Sequence, residues 1–317
     1  MNIKSFFKLA EIQTKVASVV PFLLGSLIAI YRYSSFNIIN FIIMFVSLLC
    51  IDMATTVINN YVDYKRAIKK YGYGYEEHNA IVRYNIKENH VVSVIGALLF
   101  IAMGFGVILY LRTNIIVLLL GAFSFFIGVI YSFGPIPISR TPLGELLSGI
   151  FMGGIILFIA IYIHIIDKNI INIAVVETNI NLAFEFKEII IIILLSIPTI
   201  SGIANIMLAN NICDREDDIE NRRYTLPVYV GNKLALKIYK WIYYIAYLDL
   251  VALIIIRAEP VFSILSLLTF FIVNRNIRIF EAEHIKSKTF VLSVKNFLII
   301  NGVRVLAYGV SILAFKL

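Results

Sequence analysis

The sequence predicts an all-α integral membrane protein, a bundle of about nine transmembrane helices, from three observations. Of its 317 residues 60% are hydrophobic and the mean hydropathy is +0.88. Only 15% are charged. Those charges fall in short clusters between long apolar runs. Ordinary soluble domains are about 45–50% apolar and about 25% charged, so a soluble core cannot absorb this much apolar surface.

A bilayer core of about 30 Å takes roughly 20 apolar residues per helix. Runs of that kind cover Val16 to Tyr31, Ile38 to Tyr61, Val91 to Leu111, Ile115 to Phe133, Leu143 to Ile166, Glu188 to Cys213, Leu234 to Ile256, Pro260 to Phe280 and Phe290 to Phe315. The basic, amphipathic opening MNIKSFFKLAEIQTK has no small-residue cleavage site behind it and reads as a retained interfacial lead-in. The polar, Asn-rich stretch from Asp167 to Lys187 reads as a plain loop. The chain is expected to form a single polytopic domain over 1–317.

Lys and Arg give the orientation, because their excess marks the cytoplasmic side. With the N-terminus inside, the inner segments and the span ends next to them hold 21 of the 28, the outer segments hold six (Arg32, Arg112, Lys168, Lys187, Arg257, Lys316), and Arg304 lies deep within the last span. The net charge of +8 is spread over these connections with no nucleic-acid-binding motif, which excludes a nucleic-acid partner. Cys50 and Cys213, the two cysteines, form neither a disulfide framework nor a zinc pattern.

Two inner connections, 59–90 and 210–233, gather the acidic and amide residues. In TTVINNYVDYKRAIKKYGYGYEEHNAIVRY, Asn59, Asn60 and Asp63 fall in the last turns of an apolar helix, Asn59 and Asp63 on one face. In SGIANIMLANNICDREDDIENRRYTLPVYVG, Asn210, Asp214 and Asp218 recur every four residues, flanked by Asn211 and Asp217. The equivalent places of the two connections, four spans apart, suggest related halves. Such groups are costly at membrane depth and are functional candidates by default. Hard oxygen ligands suit Mg²⁺, which takes a few carboxylates, phosphate oxygens and retained waters, so two such clusters facing each other would cradle a diphosphate. Lys65, Arg66, Lys69, Lys70 and Arg83 follow the first cluster; Arg215, Arg222 and Arg223 surround the second. Arg83, Arg222 and Arg223 are the better candidates to hold phosphate oxygens, while Lys69, Lys70 and Arg215 read as positive-inside anchors.

The stretches NNYVDYK and NNICDREDDIENRRYTLPVYVG resemble the two Asp-rich motifs of the UbiA superfamily of intramembrane prenyltransferases. NAIVRYNIK and YSFGPIPISRTPLGELLSGIFMGGI are similar to its 1,4-dihydroxy-2-naphthoate polyprenyltransferase branch. The resemblance implies a helical bundle around a central cavity, in a bacterial cell membrane, with the active-site loops cytoplasmic. It implies Mg²⁺-diphosphate ligands at Asn59, Asn60, Asp63, Asn210, Asp214 and Asp218; diphosphate cations at Lys65, Arg66, Arg83, Arg222 and Arg223; and substrate contacts at Tyr64, Tyr131 and Arg140. Asp63, Asp214, Asp218 and Arg83 are the expected catalytic set. The chain departs from the family's NDxxDxxxD form, with Asn60 at the second position and Ala67 at the last. The first site therefore keeps one motif carboxylate, Asp63, with Asn60 as a neutral donor or Glu76 or Glu77 nearby.

Pro135, Pro137 and Pro142 make YSFGPIPISRTPLGE a stiff connector, able to hold Tyr131, Ser139 and Arg140 near the mouth of the bundle. Glu145 opens the next helix, where the dipole favours a carboxylate. The four histidines form no metal-binding pattern, and only His78 sits near a motif. The partners implied are a polyprenyl diphosphate, an aromatic acceptor such as dihydroxynaphthoate, and membrane lipid. The chemistry implied is electrophilic aromatic substitution, with loss of the acceptor carboxyl as CO₂ in the naphthoate branch. A homologue with another acceptor, a non-catalytic isoprenoid binder and a secondary transporter are the alternatives. Carboxylates at helix ends on one side, rather than at mid-bilayer breaks, favour the enzyme.

Overall fold

The computed structural model describes residues 1–66, 79–132, 137–176 and 179–315. The expectations placed on Ala67, Lys69, Lys70, Glu76, Glu77, His78 and Pro135, and on the side chain of Arg66, lie outside the described residues. Eight helices among the described residues are long and apolar enough to cross a membrane, and a ninth, Ile115–Tyr131, is apolar but shorter. All nine coincide with the predicted runs. The protein is thus a multi-pass, all-α membrane protein. Its chain packs as two compact units: residues 1–19 with 38–132, and residues 20–37 with 133–317.

The first unit contains α1 (Ile3–Leu9), the first turn of α2 (Val16–Tyr33), α3 (Ile38–Arg66), the short α4 (Ala80–Arg83), α5 (Glu88–Arg112) and α6 (Ile115–Ser132). Asn2 caps α1 by accepting from Ser5 N at 2.8 Å while the Ser5 hydroxyl receives the Asn2 N–H in return, a reciprocal capping box. Leu9, Ala10, Ala54, Val57, Ala80, Ile81 and Val91 form its core, with Tyr61, Tyr64 and Tyr84 packed on the outside. Within the long apolar α3, Asp52 is held by Lys15 Nζ at 2.6 Å and by the Ser18 hydroxyl. The Lys15 ammonium also donates to Thr56 Oγ1 at 2.6 Å. Pairing of this kind is what makes a carboxylate tolerable at such depth.

The second unit contains the rest of α2, then α7 (Gly144–Tyr162), strands β1 (Ile171–Val176) and β2 (Asn179–Phe184), α8 (Phe186–Cys213), the short α9 (Arg215–Glu220) and α10 (Leu226–Val230), α11 (Asn232–Ile255), α12 (Ile264–Ala282) and α13 (Val291–Phe315). The stretch expected as a plain loop is instead an antiparallel hairpin, with Ile171 opposite Phe184 and Val176 opposite Asn179. Alternating Ile171, Asn172 and Ile173 suit a strand, and pairing satisfies backbone groups that a loop would leave to water.

Helix α7 passes through a π-helical stretch, Gly149–Ile155, where it meets α8 at very close range. A Cβ on Gly153 would lie 2.6 Å from Ile200 N and 2.7 Å from Ile200 Cα; one on Gly149 would lie 2.7 Å from Ile200 O. Two glycines four apart thus let two backbones touch, the contact that holds membrane helices together where lipid removes the hydrophobic drive. The Thr199 hydroxyl, fully buried, donates to Gly153 O at 2.8 Å across this contact.

Arg304 lies fully buried in α13, its Nε 3.1 Å from Glu259 Oε1 and its Nη2 donating to Leu195 O at 2.9 Å. Ser263 Oγ donates to the other Glu259 oxygen at 2.6 Å. This guanidinium therefore joins α8, the connection between α11 and α12, and α13. Just beyond α7, His164 is buried, its Nδ1 accepting the Asn37 N–H at 3.0 Å and its ring 4.7 Å from that of Phe36. Burial lowers the His164 pKa to about 4.

Three outcomes follow from these contacts. Arg304→Met leaves Glu259 charged and buried, and is expected to cost about 3–5 kcal/mol in detergent unfolding, whereas Arg304→Met with Glu259→Gln recovers most of it. Gly153→Val overpacks the α7–α8 contact and is expected to cost about 1–3 kcal/mol or more on the same scale. His164 stays neutral when folded but charges when unfolded, so stability is complete above pH ~6.5 and falls as pH drops toward 4. Thermal midpoints at pH 7 and pH 5 should differ more for the wild-type protein than for His164→Gln.

Candidate active site

In the first unit, α3 runs without a break through the first motif and ends at Arg66. Asn59 and Asp63 are exposed on one face, as their spacing requires. Asn60 points the other way, and its amide nitrogen donates to Leu9 O at 2.9 Å and lies 3.3 Å from Glu11 Oε1. Asn79 donates to Asn60 O at 2.9 Å and accepts from Ile81 N at 2.9 Å, capping α4. The Asn60 amide, expected among the metal ligands, thus clasps the end of α3 to α1.

The expected diphosphate cations of this motif divide. Lys65 is paired with Glu88 at 2.6 Å, and Glu88 also receives the Tyr61 hydroxyl. Arg83 is exposed at the end of α4, its guanidinium 5.7 Å from the Tyr84 ring centre. Tyr64 packs against the unit's core.

In the second unit the four-residue spacing survives a change of element. Helix α8 ends at Cys213, Asp214 is the junction, and α9 follows. Asp214 N still donates to Asn210 O at 3.0 Å and Asp218 N to Asp214 O at 2.8 Å, so Asn210, Asp214 and Asp218 keep one helical stripe. Arg222, with φ of +53°, takes a left-handed turn that an Arg rarely adopts. Arg223 N then donates to Asp218 O at 2.8 Å, and Tyr224 N to Arg140 O at 3.0 Å, which ties the Pro-rich connector to the motif.

Side chains complete this cluster. Asp218 is buried, its oxygens 3.3 Å from Arg223 Nε and 3.0 Å from the donating Thr225 hydroxyl. Burial raises its pKa, with the Arg223 charge and the Thr225 hydrogen bond opposing. Arg223 Nη2 also reaches Ser139 O at 3.5 Å. Asp214 is half-buried and ion-paired with Lys286, from the connection between α12 and α13. Asn210 is half-buried and Arg222 exposed. The Asn211 amide donates to Glu145 Oε1 at 2.8 Å, linking the start of α7 to the end of α8.

Sequence reasoning missed Lys286 and Asp52, and saw Glu145 only as a helix start. Lys286 was hidden among the positive-inside lysines. Asp52 carried a legible signal, a lone acid in an apolar run. Among the described residues no three acidic, His or Cys side chains gather tightly enough to chelate a metal alone. The donor set still fits a hard cation, since Mg²⁺ needs only a few carboxylate oxygens beside phosphate and water. The Lys286 ammonium on Asp214 marks that carboxylate as a place where positive charge is stabilised.

The UbiA prenyltransferase family model matches residues 18–299. The 1,4-dihydroxy-2-naphthoate octaprenyltransferase of Bacillus subtilis (strain 168) is 33% identical over 255 residues, covering 80% of this chain and 74% of that protein. Solved structures share the fold: a UbiA homologue from Aeropyrum pernix K1, 18% identical over all of both chains with a TM-score of 0.65, and one from Archaeoglobus fulgidus bound to GPP and Mg²⁺. The latter is 14% identical over 98% of this chain and 99% of its own, with a TM-score of 0.62. The chain therefore belongs to the UbiA prenyltransferase family and is a prenyltransferase.

Proposed function

We propose that this enzyme transfers a polyprenyl group from polyprenyl diphosphate to 1,4-dihydroxy-2-naphthoate with loss of CO₂, giving demethylmenaquinone. The observation that carries the reading is the unbroken Asn210–Asp214–Asp218 stripe, buried at one end and edged by Lys286 and Arg223. The naphthoate acceptor is supported by the name of the 33%-identical relative.

In this reading Asn59 and Asp63 hold Mg²⁺ at the first motif, Asn210, Asp214 and Asp218 hold it at the second, and Asn60 braces the helix that carries the first pair. Bound Mg²⁺ supplies charge neutralisation to the departing diphosphate. Arg83 and Arg222, both exposed, bind phosphate oxygens, to which a guanidinium fork is suited in bidentate fashion. Lys65 and Arg66 are the further diphosphate cations of the first motif in this reading. Arg223 holds Asp218 in place rather than reaching for the phosphate. Tyr64, Tyr131 and Arg140 contact the substrates. The apolar bundle keeps water from the allylic cation while the ring attacks. The excess of Lys and Arg at the motif end supports a cytoplasmic-membrane location, with the N-terminus and motif loops inside.

Purified protein in detergent, given Mg²⁺, a radiolabelled polyprenyl diphosphate and 1,4-dihydroxy-2-naphthoate, is expected to form a prenylated lipid. Asp63→Ala and Asp214→Ala are each expected to lower the rate by roughly 10²–10³-fold, the scale of losing one preorganised electrostatic contact to the transition state. Turnover with another phenol but not the naphthoate overturns the acceptor; silence toward all acceptors overturns the activity.

A further inference from the structure

Glu145 and Asn211 are among the most deeply buried polar side chains of the second unit, 3% and 2% exposed. One contact joins them, Asn211 Nδ2 donating to Glu145 Oε1 at 2.8 Å. The backbone N–H of Leu226 also supports this carboxylate, and the charge of Asp218 acts on it, so the pair borders the second motif. Each side chain has one further oxygen, Glu145 Oε2 and Asn211 Oδ1, that no hydrogen bond satisfies among the described residues. A buried acceptor left without a donor costs about 1–3 kcal/mol, and here two lie on one hydrogen-bonded pair. A native protein keeps such a group for a reason, such as a catalytic role or a bound water or ion, and this is the pair of such oxygens that borders the second motif.

Resting on the prenyl-transfer reading, the chemistry of a partner arriving here can be narrowed. An ionised polyprenyl diphosphate consists of hydrocarbon and acceptor oxygens and carries no hydrogen-bond donor. An aromatic acceptor with ring hydroxyls carries two. We propose that Glu145 and Asn211 form the subsite that recognises the acceptor's hydroxyls, and that Glu145 takes the proton of the reacting one.

The step balances without an oxidant or reductant. The acceptor O–H bond breaks and its proton moves to Glu145 Oε2. The freed pair enters the ring, a ring carbon bonds to C1 of the prenyl group, and the C1–O bond breaks with its electron pair leaving on the diphosphate. When the attacked carbon bears a carboxylate, CO₂ departs, its pair restores the aromatic ring, and Glu145 returns the proton to the ring oxygen. A carboxylate short of donors in an apolar setting suits this exchange.

The test compares full-length wild-type protein with Glu145→Gln and Glu145→Asp at fixed Mg²⁺ and prenyl diphosphate. Glu145→Gln is expected to lower kcat about 100-fold or more, the usual range for a lost general base, with KM for prenyl diphosphate changed less than about threefold. The deficit should shrink as pH rises and with a ring-fluorinated acceptor that ionises more readily, and Glu145→Asp should recover part of the rate. Mn²⁺ binding, read by electron paramagnetic resonance without substrates, should be unchanged. In the wild-type protein alone, an O-methylated acceptor should compete at least about 100-fold more weakly than the dihydroxy compound, because a site built for a hydroxyl rejects a ligand lacking it.

Unchanged turnover in Glu145→Gln, an equal loss at every pH, or lost Mn²⁺ binding overturns the proposal, the last by making Glu145 a metal ligand. Equal competition by the methyl ether overturns it even where the variants do not fold. A wild-type protein that turns over no hydroxyaryl acceptor sinks the prenyl-transfer reading itself, whereas an active wild type with an unimpaired Glu145→Gln sinks this subsite alone.

Discussion

Within the hydrocarbon of a bilayer no water is available to satisfy a backbone amide or shield a charge, and the rest of this structure depends on that constraint. Among the described residues it makes every span helical, with a hairpin between α7 and α8. It also decides how polar residues are used. Three ion pairs stand within or beside the spans: Asp52 with Lys15, Arg304 with Glu259, and Arg32 with Glu188 at 2.9 Å. These pairs are expensive to break rather than strong in net terms, so they fix which helices meet.

The same constraint explains where the chemistry-bearing residues sit. Unpaired carboxylates and amides cannot lie at mid-bilayer without large cost, and both motifs occupy helix ends. In the second unit the chain achieves this with little disruption. Hydrogen bonds four residues apart continue from Asn210 through Asp214 to Asp218 although α8 stops at Cys213. A rigid helical stripe therefore emerges from the span, and the Arg222 turn brings Arg223 and Thr225 back against Asp218. Preorganisation comes from backbone geometry first and charge second.

Close helix contact is the other recurring device. Gly149 and Gly153 permit α7 to touch α8, and the same two helices are joined one turn further on by Glu145 and Asn211. Their register is thus fixed by steric fit in the span and by polar contact at its end. The buried pair beside the second motif is held by the same backbone approach that stabilises the bundle, which couples the position of a buried carboxylate to helix packing.

Much of this was legible in the residues alone. Apolar run length fixes the span count because bilayer thickness does, and the Lys and Arg imbalance follows from the same solvent boundary. The Asn and Asp spacing identifies both motifs because a helix places every fourth residue on one face. What the spacing does not contain is the partner of each group. That Asn60 turns toward Leu9 rather than sharing the face of Asp63, that Lys65 is taken by Glu88, that Lys286 reaches Asp214 across 72 residues, and that Glu145 meets Asn211 were decided by tertiary packing. The hairpin at 171–184 likewise formed because two short segments found each other. Local sequence determines which groups are costly to bury; only the folded chain determines which group relieves each of them.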